Sequence, residues 1–110
     1  MCIFCKIAAG EFGTQFLYED ERALAFRDLD PQAPTHILII PRTHLANIEE
    51  LSSSEPATVA HLFQIAARLA AQEGLSGYRT VFNTGESAGQ SVFHAHLHLL
   101  GGRPFAWPPG

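Results

Sequence analysis

The chain has 110 residues, 46% hydrophobic, 16% charged and 10% aromatic, a balance that suits a single small domain with one core and excludes a disordered or low-complexity chain. Seven Lys and Arg against eleven Asp and Glu give a formal net charge of −4, so there is no overall basic field to attract nucleic acid or an anionic membrane. No apolar run approaches the roughly 20 residues needed to span a bilayer, and Met1 to Gly10 has no basic region followed by an apolar stretch, so the expectation is a soluble, cytoplasmic protein.

The only two cysteines, Cys2 and Cys5, form a C-x-x-C at the start of the sequence. A redox pair of that spacing follows a strand, and a structural disulfide does not suit a reducing cytosol, which leaves half of a metal site or coincidence. Ile3 to Ala9, followed by Gly10, reads as a short helix or turn that packs Ile3, Phe4 and Ile7 inward. Phe16 to Glu19 and Ala23 to Asp28 read as a hairpin with an acidic turn at Asp20 and Glu21. Pro31 and Pro34 impose an extended connection. His36 to Ile40, apolar on both faces and stopped by Pro41, predicts a central, covered strand.

Val59, Leu62, Phe63, Ala66, Leu69 and Ala70 recur at helical spacing and predict one long helix, with Ser53 or Ser54 as cap, Pro56 in its first turn and Gly74 at its end. Arg79 to Asn83 predicts a fourth strand, Gly85 to Gln90 a glycine-containing loop, and Val92 to Leu100 a fifth strand before Gly101 and Gly102. Hairpin-joined strands with one long helix between the third and fourth predict an α+β fold: an antiparallel sheet covered by helices.

Six histidines are many for so short a chain, and three of them, His94, His96 and His98, alternate with Phe93, Ala95, Leu97 and Leu99. Along a strand this spacing sends all three imidazoles to one side and the apolar set to the other. Random placement produces such an H-x-H-x-H about once in a hundred chains of this composition, too rarely to be the preferred account. Two chemistries fit the pattern: histidines converging on a catalytic metal, or one imidazole acting as nucleophile while its neighbours set its tautomer and carry protons. Upstream, Gly85 to Ser91 supplies small residues, an amide and a hydroxyl, and no Asp or Glu follows Ser87. Imidazoles beside neutral donors suit a phosphate oxyanion better than a hydrolytic metal centre, which usually adds a carboxylate.

The residues His94-Ala95-His96-Leu97-His98-Leu99-Leu100 match the signature of the histidine triad (HIT) family. Phe26 to His36, Gly89-Gln90-Ser91 and the ending Trp107-Pro108-Pro109-Gly110 are similar to its Hint-type branch of purine nucleoside phosphoramidases. The resemblance covers essentially the whole chain. It implies a HIT-like fold of five antiparallel strands with one long and one short helix, and a homodimer that pairs through the long helix and fourth strand. It also implies hydrolysis of nucleoside 5′-phosphoramidates, with AMP or GMP carried on a histidine and no cofactor needed for catalysis.

Carried over by position, His96 would be the nucleophile and His36 would orient it. His98 and Ser91 would meet the phosphate or leaving group, and Gln90 and the Gly89 backbone would complete the phosphate pocket. Asp28 would take the ribose hydroxyls, Phe4, Ile7, Phe26, Leu29 and Leu38 the base, and Asn83 would hold the active-site loop. The resemblance further implies that Cys2, Cys5, His44 and His94 bind a structural zinc, as a closed set of two thiolates and two imidazoles. His61 has no such company and reads as surface. A nucleotide-binding regulatory module and a histidine-liganded metallohydrolase stand as alternatives.

Overall fold

The computed structural model describes residues 2–110. Helix α1 (Ile3–Ala8) opens where the Cys2 sulfur accepts the Cys5 backbone N–H at 3.2 Å. It buries Phe4 and leaves Ile3 half exposed, so of the residues expected to pack inward Ile3 does not. Strands β1 (Tyr18–Glu19) and β2 (Ala23–Arg27) form the expected hairpin, tied by the Asp20 carboxylate, which accepts the N–H groups of Arg22 and Ala23 at 2.7 and 2.8 Å.

Every residue of β3 (Thr35–Pro41) is buried. After it come helices α2 (Ile48–Ser54) and α3 (Pro56–Gln72), then strands β4 (Tyr78–Val81) and β5 (Leu97–Gly101). The five strands form one antiparallel sheet in the order β1-β2-β3-β5-β4, which puts β3 at its centre.

Helix α2 was not expected. Asn47 caps it by accepting the Glu50 N–H at 2.9 Å while the Glu50 carboxylate accepts the Ala46 N–H at 3.2 Å. This is a variant of the reciprocal capping box, legible in the spacing Asn47-x-x-Glu50. Ser53 and Ser54 therefore belong to the last turn of α2 and cap nothing, and the residue before α3 is Glu55, with Pro56 in the first turn as expected. The fifth strand is also shorter than predicted. Val92 to His96 lies outside the sheet, bent at Val92 to His94, and the Ala95 N–H is taken at 2.8 Å by the Leu45 carbonyl of the β3–α2 connection.

The sheet is covered on both faces, as an all-buried central strand requires. Leu62, Ile65, Ala66 and Leu69 of α3 pack with Ile37, Ile39, Ala95, Leu97 and Leu99 on one side. On the other, Leu24, Phe26, Leu38 and Ile40 pack with Phe4 of α1. Register sets Leu38 opposite His98 and His36 opposite Leu100, which brings both imidazoles to the α1 side.

Candidate active site and metal centre

The alternation of His94, His96 and His98 survives although only His98 belongs to a strand. Ala95, Leu97 and Leu99 are buried under α3, while Phe93, expected to join them, is 49% exposed. On the opposite side the three rings line up, with His96 and His98 centroids 4.9 Å apart and Phe4 edge-on to His94 and His96 at 6.0 and 5.0 Å.

Hydrogen bonds assign the protons of these rings. The Gln32 backbone N–H donates to His36 Nδ1 at 3.0 Å, so the His36 proton is on Nε2, which donates to His98 Nδ1 at 2.9 Å. His98 must then carry its own proton on Nε2, and that atom is buried with no protein partner. His96 Nδ1 donates to the His94 carbonyl at 2.8 Å, which leaves its Nε2 with a free lone pair. The hydrogen-bond network thus produces one imidazole acceptor beside one imidazole donor. Burial pushes His36, His94 and His96 below the ordinary imidazole value and His98 down to about 4, where the neighbouring His96 and His36 add to the effect. All four rings are neutral at pH 7.

His96, His98 and Ser91 form one wall of a cavity of about 300 Å³. Phe4, Ile7, Phe26, Asp28, Leu29 and Leu38 also line it, so nine of the residues singled out above meet there, and His36 stands directly behind His98.

 Asn83, Gly89 and Gln90 do not line it. Gln90 is buried instead as a strut, its amide oxygen accepting the Gly85 N–H at 2.9 Å and its nitrogen donating to the Ala46 and Val92 carbonyls at 2.7 and 3.1 Å. Ile3, Thr14, Arg27 and Val92 line the cavity without having been anticipated. Ile3 was legible, since it stands one helical turn before Ile7, whereas Thr14 and Val92 arrive from loops. The Arg27 guanidinium is held by Glu73, whose carboxylate accepts from both its terminal nitrogens at 2.9 and 3.0 Å.

A second constellation lies beside the first. One ligand atom each from Cys2, Cys5, His44 and His94 falls within 4.8 Å of all the others. The sulfurs are 3.3 Å apart, the two Nδ1 atoms 3.2 Å apart, and three sulfur–nitrogen distances are 3.3, 3.4 and 3.6 Å. Zinc bonds of about 2.0–2.3 Å give a tetrahedron with edges of about 3.3–3.8 Å, so the spacing fits that ion. His94 Nε2 donates to the Pro41 carbonyl at 2.8 Å, which turns its Nδ1 lone pair toward the sulfurs, the arrangement usual for a metal-bound imidazole. Burial, and then the Cys2 thiol, push the Cys5 thiol up.

Asp28, His36 and His98 form the other cluster with metal-ligand chemistry among the described residues, but there the His36 and His98 nitrogens are already hydrogen-bonded to each other. His61 is not a bare surface residue. Its Nε2 meets the Asp20 carboxylate at 2.6 Å and its ring stands edge-on to Tyr18, joining α3 to the β1–β2 turn.

The HIT domain model matches residues 9–105. An uncharacterized HIT-like protein of Synechococcus elongatus is 53% identical over 98% of this chain and 96% of its own length. A 14 kDa zinc-binding protein of Zea mays is 50% identical over 98% of this chain and 87% of its own length. Among solved structures, a HIT family hydrolase from Legionella pneumophila superposes with a TM-score of 0.95 at 52% identity, covering all of both chains. The fold and the aligned imidazoles define a histidine-triad protein. The chain belongs to the HIT domain family.

Proposed function

We propose that the protein is a Hint-type hydrolase that cleaves the P–N bond of purine nucleoside 5′-phosphoramidates through a nucleotidyl-histidine intermediate. The observation that carries this reading is the pairing of the unprotonated His96 Nε2 with the buried, unpartnered His98 Nε2–H on one cavity wall. A nucleophile needs the first and a phosphoryl oxygen suits the second.

His96 Nε2 attacks the α-phosphorus, forming a P–N bond to the ring as the bond to the leaving amine breaks. The amine departs with a proton delivered through the Ser91 hydroxyl. Water then attacks the same phosphorus, the ring leaves, and the water proton restores the hydroxyl, so the net reaction is phosphoramidate plus water to AMP or GMP plus amine. The His94 carbonyl stabilises the imidazolium character that His96 gains, and His36 holds the His98 proton toward phosphate. Phe4, Ile7, Phe26, Leu29 and Leu38 take the base and Asp28 the ribose. Cys2, Cys5, His44 and His94 hold a structural zinc, supported by the spacing above and by the zinc-binding relative from Zea mays. A cysteine pair that binds a metal and forms no disulfide suits the reducing cytoplasm.

Mass spectrometry of protein quenched during turnover of an adenosine 5′-phosphoramidate should reveal an added adenylyl mass on His96. His96→Ala should lose turnover by at least about a thousandfold while still binding AMP. Turnover by His96→Ala at the wild-type rate, or an unmodified His96 in the quenched wild type, refutes the covalent route and favours the histidine-liganded metallohydrolase reading.

A further inference from the structure

We infer that metal occupancy at Cys2, Cys5, His44 and His94 and the nucleoside affinity of the cavity are linked through α1. The inference rests on the nucleotide reading above and adds a regulation of that same site. Six residues are too few for a helix to persist alone, since isolated helices shorter than about 12–15 residues are marginal in water. Two of the four candidate ligands, Cys2 and Cys5, flank or belong to this helix, and the same turn and a half carries Ile3, Phe4 and Ile7 of the cavity wall. Phe4 lies between the two sites, edge-on to the His94 ring at 6.0 Å and to the His96 ring at 5.0 Å. An ion that ties Cys2 and Cys5 to His44 and His94 therefore also fixes one side of the slot for the base.

The phosphate end is held independently. The Pro41 carbonyl accepts from His94 Nε2, the Leu45 carbonyl from the Ala95 N–H, and the His94 carbonyl from His96 Nδ1, bonds that use none of the four candidate ligand atoms. A ligand that touches only the imidazole wall should thus be indifferent to the metal, and one that also fills the base slot should not. Linkage is reciprocal, so base binding must tighten the metal by the factor by which the metal tightens base binding.

The test uses AMP and ribose 5-phosphate as probes of the intact chain. Each is titrated calorimetrically into zinc-loaded and metal-free protein, and zinc affinity is measured by chelator competition with and without saturating AMP. Removing zinc should weaken AMP about fivefold or more, AMP should tighten zinc by the same factor, and ribose 5-phosphate should change by less than about twofold. Cys2→Ser should reproduce the metal-free result for AMP; because that variant can fail to fold, the chelator competition on the unaltered chain decides. Equal AMP affinity with and without zinc overturns the linkage, as does failure to bind one zinc per chain. An equal effect on ribose 5-phosphate also overturns it, because the metal then acts on the whole fold and not through α1. Failure of AMP to bind the zinc-loaded protein sinks the nucleotide reading itself, and this inference with it, and is read directly from the first titration.

Discussion

His98 is the residue whose burial has the clearest consequence in solution. Its ring faces His36, His96 and Asp28, and its pKa falls from the ordinary 6.5 to about 4 chiefly because burial penalises the charged form. In the unfolded chain the same ring protonates near its ordinary value, so between pH 6.5 and about 4 the unfolded state binds a proton that the folded state refuses. The stabilising contribution of neutral His98 is complete above that window and is lost as pH falls through it, by up to about 1.4 kcal/mol per pH unit. Urea midpoints measured from pH 7.5 to 4.5 should fall more steeply for the wild type than for His98→Asn. Parallel slopes would show that His98 titrates normally. The three-imidazole row was legible residue by residue, because the spacing of two by itself predicts one shared side. The proton positions were not, since Gln32 N–H, Pro41 O and His94 O reach the rings through folding alone.

At the scale of elements, the segment from Gly85 to His96 is held by side chains where sheet bonds are missing. Gln90 was read as part of a phosphate pocket, and its amide instead saturates three backbone groups from two connections. Gln90→Ala should lower stability by roughly 2–4 kcal/mol, because buried partners left unpaired each cost about 1–3 kcal/mol, and thermal unfolding measures it. A loss below about 0.5 kcal/mol would mean that water replaces the amide without penalty. The same contrast runs through the helices. The apolar period of α3 announced it from sequence, whereas α2 has too short a period to announce itself and depends on the Asn47 and Glu50 cap.

For the whole molecule, β4 at the sheet edge has a row of unpaired backbone groups, and exposed Tyr78, Phe63 and Trp107 lie on the elements around it. Phe63 of α3 packs edge-on against Phe82 at 6.0 Å, which extends that apolar surface from helix to strand end. A twofold pairing through α3 and β4, as the histidine-triad resemblance implies, would cover it. Sedimentation equilibrium at micromolar concentration should give twice the 12.0 kDa chain mass, and Phe63→Glu should shift it toward a single chain. A wild-type mass of one chain would refute the dimer.

The sequence alone determined the α+β class, the central buried strand and the row of imidazoles, because each rests on a local period that neighbours cannot change. It also determined which residue types stand ready for a metal at Cys2, Cys5, His44 and His94. Only the tertiary structure decided that these four side chains meet, that the His94 carbonyl sets the His96 tautomer, and that Gln90 serves the backbone and not the cavity. Those outcomes depend on distances between residues up to 92 positions apart, and such distances exist only once the sheet has closed and α1 has packed on it.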